Sequence, residues 1–369
     1  LRIIVSGGGT GGHIYPALSI ADKIKSENEG ANVLYVGTKM GLESKIVPGS
    51  GYDFETVTVS GFQRKISFEN MKRLIMFFRG IWESASIIRR FRPDIVIGTG
   101  GYVSGPVVFC AAMMKIPTVV HEQNAFPGMT NKFLSRFADK VLISFEDARK
   151  FFKSDRNVEF TGNPLRKEII DANKSEARKK LGIPLDKKMV LSVGGSGGSR
   201  KINDAMLSVI GQFCNRDIAF VHATGNAYFE GFCKEFSDAG LKDYQMVVPY
   251  IDNMPDVLAA CDVVICSAGA ITLSEVTCLG KPAIVIPKAH TAENHQEYNA
   301  RSIEENGAGV MILEKDITAD LIAQNIFNII MDEEKLNEMS NKSVQMGMPE
   351  AIDVIYSEIM RLKQLDEGI

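Results

Sequence analysis

Short apolar runs alternate with longer stretches whose apolar positions recur at helical spacing, almost from one end of the chain to the other. The short runs, bounded by Gly, Pro or polar residues, read as buried strands and the longer ones as helices. That alternation predicts parallel α/β sheets. Beginning with the run Ile3, Ile4, Val5, strands are predicted at 32–37, 94–98, 118–122 and 140–144 in the first half. The second half predicts them at 189–193, 218–223, 245–248, 262–266 and 283–287.

The pattern repeats. IIVSGGGTGGHIYPAL near the start is echoed by VLSVGGSGGSRKINDAML at 190–207, and DIVIGTGGYVSGPV at 94–107 by DVVICSAGAITLSEV at 262–276. Each echo is strand, small-residue turn, helix, so two doubly wound Rossmann-like units in tandem are predicted, facing a shared cleft onto which both Gly-rich turns open. The boundary is placed near TGNPLR (161–166), whose Asn-Pro favours extended chain. This gives domains over 1–163 and 164–345. A last helical pattern within 346–369 comes too late for the repeat and is expected to pack back on the first domain.

One helix in the first domain carries more apolar residues than a single core face needs. Between Ser67 and Pro93, the stripe Met71, Leu74, Ile75, Phe78, Trp82 and Ala85 reads as the core-facing side. Met76 and Phe77 fall off it, flanked by Lys72, Arg73 and Arg79, a combination that suggests an interfacial membrane patch. A helix buried on two sides is the alternative. Charge supports an anionic partner: residues 1–163 carry 21 Lys and Arg against 15 Asp and Glu, whereas the remainder carries 21 against 30. None of the six cysteines forms a C-x-x-C pair, and four lie in apolar stretches, which suits a reduced, cytosolic protein. No signal peptide is expected before the first strand, and no apolar run approaches membrane-spanning length.

Gly7-x-Gly9-x-x-Gly12 matches the dinucleotide fingerprint formally, but the second strand ends VLYVGTKMG without the acidic residue that would hold a ribose. The turn 194–199 lacks the Lys of a P-loop, yet a Gly/Ser-rich turn opening a helix can cradle a diphosphate through backbone N–H groups and the Ser196 hydroxyl. Glu275, placed where a helix should start, can accept from both ribose hydroxyls, with the helix dipole favouring its ionised form. His13, at the start of a helix in a Gly-rich turn, suits a general base near neutral pH. His121, Glu122 and Asn124 end another strand at the ligand-facing edge, and His290 and His295 lie in a polar loop. No histidine has zinc-site spacing or a Cys partner, so neither a metal nor a cofactor is expected.

Taken together, GGTGGHIYPAL, GTGGYVSGP, HEQNAFPG, TGNPLR, GGSGGS, GAITLSE and HQEYNA, in order from residue 8 to residue 300, resemble the peptidoglycan N-acetylglucosaminyltransferases that convert lipid I to lipid II. The resemblance implies a GT-B fold and an inverting transfer of GlcNAc from UDP-GlcNAc to the C4 hydroxyl of MurNAc in undecaprenyl-diphosphoryl-MurNAc-pentapeptide. It implies a peripheral enzyme on the cytoplasmic face of the bacterial membrane, its first domain facing an anionic lipid surface, working in cell-wall synthesis and hence in cell shape and division. No nucleic-acid partner follows, and recruitment by a cell-wall synthesis complex stays open. By motif, His13 would be the general base, with Thr10, Gly11 and Gly12 lining the phosphate side and Asn124 placing the sugars. Arg166 would contact the donor and Ser196 the diphosphate. The backbone of Ile251 would read uracil, and Gln296 would bind GlcNAc. Ala270, Ile271, Thr272, Leu273, Ser274 and Glu275 would run along the nucleotide, with Glu275 on its ribose.

One position departs from that family's pattern. Its members often have Arg directly after the strand that here ends in Cys266, and this chain has Ser267. A charge-assisted contact to the diphosphate is then missing or supplied from elsewhere. A UDP-GlcNAc 2-epimerase of the same fold and a non-catalytic nucleotide-sugar-binding protein are the rival readings.

Overall fold

The computed structural model describes residues 1–60, 68–154, 156–195, 197–213, 216, 218–238 and 245–367. It divides into two units, Leu1–Pro164 with Glu350–Ile369, and Leu165–Pro349.

The first unit holds a parallel sheet of β1 (Arg2–Gly7), β2 (Asn32–Gly37), β3 (Asp53–Thr56), β4 (Ile95–Gly100), β5 (Thr118–Glu122), β6 (Lys140–Ile143) and β7 (Val158–Phe160). Its helices are α1 (Gly11–Glu27), α2 (Glu43–Gly49), α3 (Phe68–Phe91), α4 (Ser104–Met113) and α5 (Met129–Leu134). The second unit holds β8 (Lys188–Val193), β9 (Ile218–Ala223), β10 (Gln245–Val248), β11 (Val263–Ser267), β12 (Ala283–Ile286) and β13 (Gly309–Met311). Around them lie α6 (Lys167–Ile170), α7 (Lys174–Leu181), α8 (Arg200–Phe213), α9 (Phe229–Asp238), α10 (Met254–Ala260), α11 (Ala270–Cys278), α12 (His295–Glu305), α13 (Ala319–Ile330) and α14 (Glu333–Met346). The chain ends in α15 (Ala351–Glu367), which belongs to the first unit.

Strand order is β3-β2-β1-β4-β5-β6-β7 in one sheet and β10-β9-β8-β11-β12-β13 in the other, all parallel. Both sheets therefore reverse direction of growth beside their first strand, and such a switch point opens a crevice beyond the strands' carboxyl ends. Successive residues of a strand face opposite ways, which explains the unbroken apolar run in β1. Ile3 and Val5 join the core beneath α1 and α15, and Ile4 joins the core beneath α3 and α4. In the second sheet, Val190, Val263 and Ile265 face α8 and α13.

Helix α3 overturns the expected orientation of its apolar stripe. Ile75, Phe78 and Trp82 are 65%, 61% and 71% exposed, whereas Met76 and Phe77 are half-buried. The inward face is built from small residues. A Cβ at Gly80 would lie 2.7 Å from the Thr58 carbonyl oxygen, Ser84 is buried, and Cys110 Sγ reaches the Ile81 carbonyl at 3.2 Å. Backbone-close packing of this kind leaves no room for large side chains, so their bulk is turned outward. Arg79 is on the surface, paired with Glu83 at 2.8 Å. The side chains of Met71, Lys72, Arg73 and Leu74 lie outside the described residues.

Candidate active site

In the first unit the switch point lies between β1 and β4. Thr10 caps α1 without a capping hydrogen bond from its own side chain, and His13 falls in the first turn. His13 Nδ1 lies 3.0 Å from the Gly8 carbonyl oxygen and 3.4 Å from Thr10 Oγ1. A carbonyl only accepts, so Nδ1 carries the proton and Nε2 is the basic nitrogen of the neutral ring. That edge of the ring borders Gly100, where a Cβ would come within 2.8 Å of His13 Cδ2 and 3.1 Å of Nε2. Gly100 also has φ of 109°, so both space and backbone demand glycine. Thr99 Oγ1 donates to the His13 carbonyl at 2.7 Å, and Gly8 N donates to the Gly100 carbonyl at 3.2 Å, tying the two strand ends together.

Two buried carboxylates set the loops around this ring. Glu43, from α2, accepts from Gly9 N at 3.1 Å, Thr38 N at 3.0 Å and Thr38 Oγ1 at 2.6 Å. Burial alone would raise its pKa, but the hydrogen bonds from Thr38 and Gly9 outweigh it and hold the carboxyl below the usual value. Glu122, at the end of β5, accepts from Asn124 N and Nδ2 at 3.0 Å each, Gly128 N at 3.1 Å and Asn131 Nδ2 at 2.8 Å. Asn131 Nδ2 would also lie 3.4 Å from a Cβ at Gly100, so the same amide stands beside the His13 pocket.

His121 does not serve the site. It is fully buried, with Nε2 3.0 Å from the Gly162 carbonyl oxygen and Nδ1 3.0 Å from Gln123 Nε2. Burial lowers its pKa to about 4, fixing a neutral ring that holds strand ends together.

In the second unit the switch point lies between β8 and β11. The turn after β8 presses on the end of β9, where a Cβ at Gly198 would sit 2.1 Å from the Thr224 carbonyl oxygen. Lys288, just past β12, donates from Nζ to the Gly198 carbonyl at 2.9 Å, and its backbone N–H donates to Gln296 Oε1 at 2.9 Å. Glu275 accepts from Arg166 Nη2 at 3.4 Å and is largely buried, whereas Arg166 is exposed. Asn299 Nδ2, on α12, donates to the Ala268 carbonyl at 3.1 Å and pins the entry to α11. Among the described residues, no group of three His, Cys, Asp or Glu is placed to hold a metal ion.

Sequence comparison matches residues 3–143 to the glycosyltransferase family 28 N-terminal domain and residues 189–355 to the family 28 C-terminal domain. The chain belongs to glycosyltransferase family 28. It is 56% identical over 364 residues to the UDP-N-acetylglucosamine--N-acetylmuramyl-(pentapeptide) pyrophosphoryl-undecaprenol N-acetylglucosamine transferase of Clostridioides difficile (strain 630), covering 98% of this chain and 89% of that one. A Bacillus thuringiensis (strain Al Hakam) enzyme of the same description is 47% identical, over 98% and 99% of the two chains. The crystal structure of Acinetobacter baumannii MurG matches with a TM-score of 0.81 at 26% identity, covering 98% of this chain and 99% of that one. A UDP-GlcNAc 2-epimerase from Neisseria meningitidis shares the fold, with a TM-score of 0.68 at 14% identity over 98% of this chain and all of the other.

This family 28 glycosyltransferase, of GT-B fold, sorts the residues expected from sequence as follows. Thr10, Gly11, Gly12 and His13 lie at the first switch point, and Asn124, past β5, is joined to it through Glu122 and Asn131. Arg166, Glu275 and Gln296 lie on elements of the second unit, together with Ile251, which is buried just past β10. Ser196 lies outside the described residues. Two expectations for α11 need correction. The helix begins at Ala270, so Glu275 stands beyond its first turn, and burial raises its pKa while Arg166 opposes the rise. Ionisation of Glu275 is thus supported by Arg166 and not by the helix dipole, which fades within the first turn. Leu273 has no exposed surface and its N–H donates to the Gly269 carbonyl at 2.9 Å, so it supports the helix and offers nothing outward. Ala270 is nearly buried, while Ile271, Thr272 and Ser274 are half-exposed. Sequence reading missed Glu43, Thr99, Asn131 and Lys288. Their trace in the sequence is the glycines that make room for them: Gly8, Gly37 and Gly41 for Glu43, and Gly7 for Thr99.

Proposed function

We infer that the enzyme transfers GlcNAc from UDP-GlcNAc to the C4 hydroxyl of MurNAc in undecaprenyl-diphosphoryl-MurNAc-pentapeptide, giving lipid II with inversion. The observation that carries this is 56% identity over 98% of the chain to a curated transferase of that reaction. The acceptor oxygen attacks the anomeric carbon, His13 Nε2 takes the hydroxyl proton, the bond from that carbon to the diphosphate oxygen breaks, and UDP leaves. The Nδ1–H bond to Gly8 supports this role by holding the tautomer whose basic nitrogen is Nε2. Asn124, held by Glu122, places the acceptor sugar beside Thr10, Gly11 and Gly12.

The second unit holds the donor. Glu275, whose ionised form Arg166 favours against burial, accepts from the ribose hydroxyls, the backbone at Ile251 reads uracil, and Ser196 meets the diphosphate. Gln296, whose Oε1 is engaged by Lys288 N–H, offers its amide N–H groups to GlcNAc. Preorganised N–H groups at the start of α11 favour the charge that builds on the leaving UDP.

The enzyme sits peripherally on the cytoplasmic face of the bacterial membrane. Among the described residues no helix is long and apolar enough to cross a membrane. The outward Ile75, Phe78 and Trp82 of α3, with Arg79 beside them and a basic first half behind, support docking on an anionic lipid surface.

The test is UDP release from UDP-GlcNAc with and without a short-chain lipid I analogue, for wild type and His13→Ala. Release is expected only with the analogue, and the variant should lose about 100-fold or more, the usual scale for removing a general base. Release that His13→Ala leaves untouched removes the base from His13. Bound UDP-GlcNAc without any analogue-dependent release overturns the transferase reading.

A further inference from the structure

The donor's diphosphate carries the charge that must be held and then released, a task for the cations around the second switch point. Arg166 is paired with Glu275, and the Arg200 side chain is 80% exposed and leans on Asp204 at 3.8 Å. Lys288 is different. It follows β12, yet its ammonium bonds the carbonyl of Gly198, which follows β8. β11 lies between those strands, so the donor and acceptor of this bond belong to strands about 10 Å apart. The lysine stem must therefore cross the carboxyl end of β11, over the mouth of the crevice.

Three further facts mark this as a place for an anion. The ammonium has three donors, and among the described residues only Gly198 is bonded to it. It would lie 3.8 Å from a Cβ at Gly195, inside the Gly-rich turn. Ser267, the last residue of β11, is 4% exposed, and among the described residues its Oγ has no hydrogen-bond partner. Ser267 shares a sheet face with Ile265, which packs toward α8, the helix that the turn opens. Burial depresses the lysine pKa, with Glu314 opposing, so the charge is already partly desolvated and an arriving anion would relieve it.

We propose that Lys288, with Ser267 Oγ, is the cationic anchor for the diphosphate of a nucleoside diphosphate donor and stays on it as UDP departs. This rests on the donor-binding role given to the second unit above. Through its backbone N–H the same residue fixes Gln296, so the diphosphate and sugar contacts are set by one loop.

Calorimetric binding of UDP and of uridine to wild type, Lys288→Met and Lys288→Arg tests it. Lys288→Met should weaken UDP by about tenfold or more, the scale of one charge-assisted hydrogen bond, while uridine stays within about twofold and Lys288→Arg recovers most of the UDP affinity. UDP affinity unchanged in Lys288→Met overturns the proposal. So does equal weakening of UDP and uridine, which would mean the lysine only shapes the turn. Wild type that binds uridine and UDP equally weakly overturns the donor reading itself, and the anchor with it.

Discussion

Glu43 shows at the scale of one residue how the His13 ring is held. Its carboxylate grips Gly9 N, and Gly8, one residue back, presents the carbonyl that fixes the His13 tautomer. Glu43→Gln keeps the shape but turns an amide N–H toward one of the donors now satisfied, costing about 1–3 kcal/mol. The sign of its pH dependence follows from the lowered folded pKa. The stabilisation is present above the unfolded carboxyl value near 4.3 and is lost as pH falls through the folded one. Melting temperatures from pH 7 down to 3 should show wild type well above Glu43→Gln at neutral pH and the two converging in acid; a pH-independent gap would mean the charge is irrelevant. The place of His13 in the first turn of a helix was legible in sequence because an apolar strand, a Gly-rich turn and helical spacing mark that start. Glu43 and Glu122 were not, because their partners are backbone N–H groups, which leave no mark in composition. The dinucleotide fingerprint asks for an acid at the end of β2, and the nearest one, Glu43, is occupied with Thr38 and Gly9.

At the scale of elements, the strands that escaped the sequence pattern are β3, β7 and β13, all at sheet edges. DFET, VEF and GVM are short and partly exposed, and an edge strand needs no continuous apolar run. Central strands, buried on both faces, announce themselves. α3 failed in a more instructive way. Periodicity located the helix but not which side faces in, because Gly80 and Ser84 mark the packed side and the large residues point out. The consequence is testable: Phe78→Asp with Trp82→Asp should reduce cosedimentation with anionic vesicles several-fold and leave UDP binding intact. The same change at half-buried Met76 and Phe77 should lower the melting temperature instead. Vesicle binding that survives Phe78→Asp with Trp82→Asp would remove α3 from the membrane contact.

At the scale of the whole molecule, the chain leaves its first unit at Pro164 and returns to it at Glu350. α15 is no appendage. Ile355 and Ile359 are fully buried in the core that also holds Ile3, Val5 and the apolar face of α1. Polar contacts fix its register: Tyr356 Oη accepts from Asn28 Nδ2 at 2.9 Å, Asp353 pairs with Lys23 at 2.7 Å, and Glu358 pairs with Lys140 at 3.0 Å. The first unit, which carries His13, is thus completed only after the chain has passed through the second, whereas the second unit is continuous in sequence. Ile355→Ala and Ile359→Ala should each cost about 2–5 kcal/mol, the range for emptying a buried aliphatic site. Because the loss falls on one unit's core, hydrogen exchange should accelerate in β1, β2 and α1 while β8, β9 and β11 keep their protection, and UDP affinity should hold. Exchange that accelerates equally in both sheets would show that the two units unfold as one, and that α15 stabilises more than the core it enters.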